Sequence, residues 1–155
     1  MSDLIRVHDI CEYSRANGPG VRAVVWTQGC SIGCPGCFNQ STHSDGTGKL
    51  YDPVSLGEEL GKLNVDGLTV SGGEPLEQPK QVLELVNSYR RFSQGTTLLF
   101  TGFTIAAILK NDLKRQALMQ FDAAITGPYI KGSNEIWKGK KLALISNRNQ
   151  KSSIH

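Results

Sequence analysis

Three cysteines, Cys30, Cys34 and Cys37, lie in one short stretch of the chain. Their spacing is C-x3-C-x2-C, and thiolates this close in a loop rich in glycine and proline can converge on one soft metal centre. Three ligands on a four-iron cluster leave one iron open to a substrate, whereas four cysteine ligands are typical of an electron carrier. The intervening glycines permit close backbone approach and supply amide groups toward the sulfides. The pattern therefore favours an iron–sulfur site with an open iron.

Spacing alone leaves other interpretations of these cysteines open. Cys34 and Cys37 form a C-x2-C pair of the thioredoxin type, which gives Cys30 no role. His43 can complete a zinc site with the three cysteines. The cysteines can also be inert core residues, although glycine and proline between them do not make a buried apolar face. The isolated Cys11 lies on a predicted strand, where we expect a buried small hydrophobic residue.

A second candidate site is Gly72-Gly73-Glu74-Pro75, which follows a short apolar segment. Two glycines and a proline are common turn residues, so the simplest interpretation is a turn after a strand. The same turn also puts a carboxylate at the end of a strand, where exposed backbone carbonyls can accept hydrogen bonds from an ammonium group. The motif therefore suggests a binding site for an amino group.

Together, the two motifs resemble those of the radical S-adenosylmethionine family. In that family three cysteines hold a [4Fe-4S] cluster, and the amino acid moiety of S-adenosylmethionine chelates the fourth iron. By position, the resemblance implies that the cluster ligands are Cys30, Cys34 and Cys37. The residues that it assigns to the amino group of S-adenosylmethionine are Gly72, Gly73 and Glu74.

Further segments narrow the resemblance to the glycyl-radical-activating proteins, in particular the activators of anaerobic ribonucleoside-triphosphate reductase. They are Asn17-Gly18-Pro19-Gly20-Val21-Arg22, Gln28-Gly29-Cys30-Ser31, Cys34-Pro35-Gly36-Cys37-Phe38-Asn39, Thr101-Gly102-Phe103 and Gly127-Pro128-Tyr129. Many family members have an aromatic residue before the third cysteine to meet the adenine. Here Gly36 takes that place and Phe38 follows, as in the activators, so the resemblance assigns Phe38 and Asn39 to cofactor binding. It covers about residues 5–132.

The resemblance also implies the reaction. A flavodoxin or ferredoxin reduces the cluster, and S-adenosylmethionine is cleaved to methionine and a 5'-deoxyadenosyl radical. The radical then takes a hydrogen atom from a glycine of anaerobic ribonucleotide reductase. The cofactors carry this chemistry, so no side chain is required as a general base. The alternatives are an activator of another glycyl-radical enzyme, a carboxydeazaguanine synthase or, from a different class, a noncatalytic zinc or thiol-redox module.

Strands and helices that alternate along the chain are expected to position these motifs. Strands are predicted over 21–27, 68–71, 96–101 and 123–126, helices over 52–63 and 80–92, and helical structure over 104–119. Turn residues at 17–20 predict that 4–13 folds back beside the first strand. Such alternation favours parallel strands, right-handed crossovers and ligand sites at the carboxyl ends of the strands. The cysteines and 72–74, 101–102 and 126–127 all fall at such ends.

The length of 155 residues fits about one domain, so we expect a single radical S-adenosylmethionine domain over 1–155. A complete eight-unit barrel requires about 200 to 250 residues. The expected fold is therefore α/β, a truncated TIM-like barrel whose open, mostly parallel sheet carries helices on its outer face. Its lateral opening suits a protein loop as the second substrate. Residues 133–155 form a basic tail that an acidic partner surface can use.

Composition excludes several classes of protein. With 39% hydrophobic and 20% charged residues, the chain is typical of a globular protein rather than a disordered or collagenous one. A net charge of +3 is too small to indicate nucleic acid or an anionic membrane as partner. No apolar run approaches the ~20 residues that span a bilayer. These features, with crowded cysteines in a chain that needs no disulfides, predict a cytoplasmic protein without nucleic-acid or membrane partners.

Overall fold

The computed structural model describes residues 3–29 and 48–127 and the backbone of 141–144. The strands are β1 (Ile5–Ser14), β2 (Arg22–Thr27), β3 (Lys49–Tyr51), β4 (Gly67–Gly72), β5 (Thr96–Phe100), β6 (Ala123–Thr126) and β7 (Lys141–Leu144). The α-helices are α1 (Pro53–Gly61), α2 (Pro79–Phe92), α3 (Ile105–Leu109) and α4 (Asp112–Leu118), with a 3-10 turn at Pro75–Glu77. No described helix is long and apolar enough to cross a bilayer.

These strands form one sheet in the order β3-β1-β2-β4-β5-β6-β7. The central strands β2, β4, β5 and β6 are parallel, while β1, β3 and β7 add antiparallel pairs at the two sides. The predicted hairpin of β1 against β2 is confirmed. Among the described residues the sheet is open, since β3 and β7 occupy opposite edges. The expected open α/β sheet is thus confirmed, and its parallel part is the four central strands.

The main hydrophobic core lies between one face of this sheet and the helices. Ala23, Val25, Leu68, Val70 and Leu99 point from the central strands into this core. The residues that α1 and α2 pack against them are Leu56, Leu60, Val82, Leu85, Val86 and Tyr89. Alternate strand residues on the opposite face, such as Val24, Leu98 and Ile125, are also buried. Because Ile108 of α3 and Ala117 and Leu118 of α4 join the same cluster, the described helices lie on one face of the sheet, as the sequence predicted.

Helix α1 begins where its sequence predicts. The carboxylate of Asp52 accepts hydrogen bonds from the hydroxyl of Ser55 at 2.7 Å and its backbone N–H at 3.2 Å. Pro53 occupies the first turn, where its missing N–H costs nothing. The hydrogen bond from the Ser55 hydroxyl lowers the pKa of Asp52 below its ordinary value. The stabilisation of α1 by this cap is therefore present at neutral pH and is lost as the pH falls through the lowered pKa.

The helical structure predicted over 104–119 is confirmed, and it is divided into two helices. α3 ends at Leu109, and α4 begins at Asp112. Asn111 between them is extended, and its side chain accepts a hydrogen bond from the N–H of Lys114 at 3.0 Å. Asparagine competes with helical hydrogen bonding in this way, so it starts a new helix rather than continuing the old one. The short strands β3 and β7 are further elements that the sequence did not predict.

At the amino ends of the central strands, Arg22 is fully buried. Its Nε donates to Oγ1 of Thr69 at 2.8 Å, and its Nη1 donates to Oγ1 of Thr96 at 2.8 Å and to the carbonyl of Pro19 at 3.2 Å. Its Nη2 donates to the carbonyls of Leu68 at 3.0 Å and Thr96 at 2.7 Å. Burial lowers the pKa of its guanidinium. One side chain thus ties β2 to β4 and β5 and to the turn before β2.

We predict that Arg22→Lys lowers the free energy of unfolding by about 2 to 4 kcal/mol. Lysine keeps the charge but cannot reproduce the planar fork, so buried carbonyl and hydroxyl oxygens lose their donors. Urea denaturation measures the change. The matched control is Arg115→Lys, because Arg115 pairs with Asp112 at the surface. Its effect should stay within about 0.5 kcal/mol. Equal effects of the two substitutions would contradict the role given to Arg22.

Candidate functional site at the carboxyl ends of the strands

Four parallel strands end at the same edge of the sheet. β2 is followed by Gln28 and Gly29, β4 by Gly73 and Glu74, β5 by Thr101 and Gly102, and β6 by Gly127. The structure therefore brings the predicted strand-end motifs to one edge. Cys30, the first predicted cluster ligand, is the residue after Gly29. The remaining predicted ligands and contacts, Cys34, Cys37, Phe38, Asn39 and His43, lie with Cys30 outside the described residues.

Gly72 is a position that only glycine fits. Its φ is +146°, a conformation that other residues rarely adopt. A Cβ here would overlap the Oγ1 of Thr27 and lie 2.6 Å from its N and 2.7 Å from its O. Thr27 is the last residue of β2 and the register partner of Gly72. Because a side chain would collide with Thr27, glycine is required for β4 to pair with β2 at this end of the sheet.

The carboxylate of Glu74 is buried, with 1% of the residue exposed. Its Oε1 accepts a hydrogen bond from the N–H of Gly102 at 2.6 Å. Its Oε2 accepts from the hydroxyl of Thr101 at 2.7 Å and from the N–H of Leu76 at 2.9 Å. The side chain therefore caps the 3-10 turn that follows it and joins the end of β4 to the end of β5.

Backbone hydrogen bonds extend this connection to the other two strand ends. The N–H of Glu74 donates to the carbonyl of Gly29 at 2.8 Å, which ties the motif to the residue before Cys30. The N–H of Gly127 donates to the carbonyl of Phe103 at 2.9 Å. All four strand ends are thus connected in a series that passes through Glu74. The point at which the cysteine segment leaves β2 is fixed relative to the glycine motif.

Sequence reasoning placed the glycine motif correctly but missed several residues that support it. The residues that contact the motif or its neighbours are Thr27, Gln28 and Gln78. In the sequence, only their position beside the motifs could have indicated this role. Cys11 lies on β1 as predicted, but it is half-buried rather than buried. It belongs to the face of the sheet away from the main core, opposite Val24 in the β1–β2 register.

Comparison with known proteins identifies the class to which this protein belongs. Residues 16–151 match the family model of the 4Fe-4S single cluster domain. The chain is 31% identical over 138 residues to an anaerobic ribonucleoside-triphosphate reductase-activating protein of Enterobacteria phage T4, which covers 83% of this chain and 84% of that protein. The protein of the same name from Vibrio cholerae is 32% identical over 141 residues, 83% of this chain and 89% of the relative.

A pyruvate formate-lyase-activating enzyme of Listeria monocytogenes is also similar, at 33% identity over 99 residues, which are 60% of this chain and 40% of that enzyme. The more extensive matches are those to the reductase-activating proteins. The chain therefore belongs to the family of the anaerobic ribonucleoside-triphosphate reductase-activating proteins, within the class of 4Fe-4S single cluster domains. The resemblance inferred from the two motifs is confirmed.

We predict that Thr101→Val destabilises the protein by about 1 to 3 kcal/mol, because valine keeps the shape of threonine but leaves Oε2 of buried Glu74 with one donor fewer. Thr101→Ser retains the hydroxyl and should recover most of this loss. Chemical denaturation gives the free energies, and amide hydrogen exchange at Gly102 reports the local effect. Faster exchange is expected in Thr101→Val only. If both variants behaved alike, the hydroxyl bond would not support the site.

Proposed function

We propose that this protein is an activating enzyme that uses a [4Fe-4S] cluster and S-adenosylmethionine to generate a glycyl radical on anaerobic ribonucleotide reductase. The family supports the proposal, since its relatives carry the name of reductase-activating proteins. The observation that supports it in the structure is the hydrogen bond from the N–H of Glu74 to the carbonyl of Gly29, the residue before Cys30, at 2.8 Å. This bond holds the glycine motif against the residue that precedes the cysteine segment, as two motifs that serve one site require.

The residues of the chain fit both the [4Fe-4S] cluster and S-adenosylmethionine. Three cysteines match a cluster with one open iron, so the proposed cluster ligands are Cys30, Cys34 and Cys37. The proposed S-adenosylmethionine contacts are Gly72, Gly73, Glu74, Phe38 and Asn39. When bound, the cluster and S-adenosylmethionine supply one-electron chemistry that removes a hydrogen atom from a carbon of the target.

In this reaction the protein binds S-adenosylmethionine, orients it and excludes water. Backbone carbonyls at Gly72 and Gly73 would accept hydrogen bonds from the ammonium group of S-adenosylmethionine. Glu74 holds the turn through its own bonds to Thr101 and Gly102, so the carbonyls keep their direction. Orientation matters because a small displacement of the reacting atoms lowers the rate steeply.

The open sheet suits a protein as the second substrate. We propose that it is the sheet of a partial TIM-like barrel in a single domain, and that a loop of the reductase enters at the open side. A flavodoxin or ferredoxin supplies the electron. A cluster that must stay reduced, together with crowded thiols, supports a cytoplasmic location.

The proposed function is tested by anaerobic mixing of the reconstituted protein with anaerobic ribonucleotide reductase, S-adenosylmethionine and a reductant. Electron paramagnetic resonance should then show a glycyl radical on the reductase. A reductase whose target glycine is replaced by alanine is the matched control and should give no signal. A protein that carries cluster and cleaves S-adenosylmethionine, but forms no radical on this reductase, would leave the activator of another enzyme as the better interpretation.

We predict that Cys30→Ala, Cys34→Ala and Cys37→Ala each abolish cleavage of S-adenosylmethionine, since each thiolate is a covalent ligand without a substitute. Cys11→Ala and His43→Ala are the controls and should retain iron, acid-labile sulfide and cleavage. Metal and sulfide analysis of the anaerobically purified variants checks both statements. Stoichiometric zinc in the wild type, lost in His43→Ala, would instead establish the noncatalytic zinc module.

A further inference from the structure

The side chain of Gln78 forms hydrogen bonds with two distant strands, although Gln78 itself lies in a short connection between two helical segments. Gln78 lies between the 3-10 turn after Glu74 and the first turn of α2. Its Oε1 accepts a hydrogen bond from the N–H of Arg6 at 2.7 Å. Its Nε2 donates to the carbonyl of Arg6 at 3.0 Å and, more weakly, to that of Gln28 at 3.4 Å. The amide thus joins β1 to the segment that follows β2.

These contacts replace part of the ladder between β1 and β2. In a regular antiparallel pair, residues opposite each other exchange two backbone hydrogen bonds. The N–H of Gln28 donates to the carbonyl of Arg6 at 3.1 Å, but the N–H of Arg6 donates to Gln78. The amide of Gln78 therefore stands between the N–H of Arg6 and the carbonyl of Gln28. It bridges one side of this residue pair, while the hydrogen bond from Gln28 to Arg6 on the other side stays direct.

The bridge by Gln78 comes directly before the cysteine segment. Gly29 has a φ of +104°, and its carbonyl accepts from the N–H of Glu74 rather than continuing along β1. The end of β2 is also fixed from the other side, because Oε1 of Gln28 lies 2.9 Å from Nδ1 of His8. Two bonds then connect Gln28 and Gly29 to the segment 72–78, one from Glu74 and one from Gln78.

From these contacts, and on the basis of the proposed function, we propose that Gln78 is a positioning residue. Its amide diverts the chain from β1 toward Cys30 and holds the diverted residues against the segment that binds S-adenosylmethionine. In this role Gln78 acts through Arg6 and Gln28 and not by contact with the cluster or S-adenosylmethionine. Its loss should change the relation between the first cluster ligand and the glycine motif, while the three cysteines still assemble the cluster within their own segment.

The test uses the anaerobically reconstituted full chain as wild type, Gln78→Ala and Gln78→Glu. Gln78→Glu keeps the shape and the acceptor for Arg6 but loses the donor, and it serves if the alanine variant does not fold. Gln81→Ala is the matched control, because Gln81 lies one turn further along α2 and makes no side-chain hydrogen bond within the described residues. Iron and sulfide content, affinity for S-adenosylmethionine and the electron paramagnetic resonance spectrum of the reduced cluster are measured.

We expect both Gln78 variants to carry iron and sulfide as the wild type does, but to bind S-adenosylmethionine about tenfold more weakly. The change that S-adenosylmethionine causes in the spectrum of the reduced cluster should be diminished in both and unchanged in Gln81→Ala.

Wild-type affinity and spectral change in the Gln78 variants, even with a lowered melting temperature, would overturn the proposal. Loss of the cluster in both variants would also overturn it, because Gln78 would then be needed for assembly. A wild type without cluster or binding would instead reject the proposed function.

Discussion

The buried carboxylate of Glu74 is the constraint on which the carboxyl edge of the sheet depends. A carboxylate removed from water costs several kcal/mol unless donors replace its hydration. Glu74 receives these donors from the turn that follows it and from Thr101 and Gly102 on the neighbouring strand. Neither segment can move away without leaving the charge partly unsatisfied. The position of the glycine motif is therefore coupled to the end of β5 and, through Gly29, to the end of β2.

Arg22 has the same role at the opposite ends of the same strands. Its guanidinium is buried, and its described hydrogen bonds go to carbonyl and hydroxyl oxygens of Pro19, Leu68, Thr69 and Thr96. Such bonds to neutral groups stabilise a buried charge only in a fixed geometry, since each oxygen must lie in the plane of the fork. β2, β4 and β5 are thus connected by side chains at both ends, and their carboxyl ends stay level with one another.

The sequence predicted those parts of the structure that have a local or periodic signal. The cap at Asp52, the apolar strands and the glycine turn at Gly72 each depend on neighbouring residues, and each was found. The break at Asn111 was missed because apolar residues continue at helical spacing on both sides of it. The contacts of Glu74 and Gln78 had no signal, since a side chain bound to a distant backbone follows no period. The cysteine ligands stay a prediction from their spacing and from the family.

The proposed reaction has two requirements, and different parts of this fold meet them. A protein loop must enter and leave, which favours an opening, whereas the reacting groups must hold their positions within a fraction of an ångström. An open sheet provides the first, since its edges are not joined within the described residues. The hydrogen bonds around Glu74 provide the second, because they join neighbouring strand ends without closing the sheet. Rigidity at the site therefore does not depend on a complete barrel, and a short chain can meet both requirements.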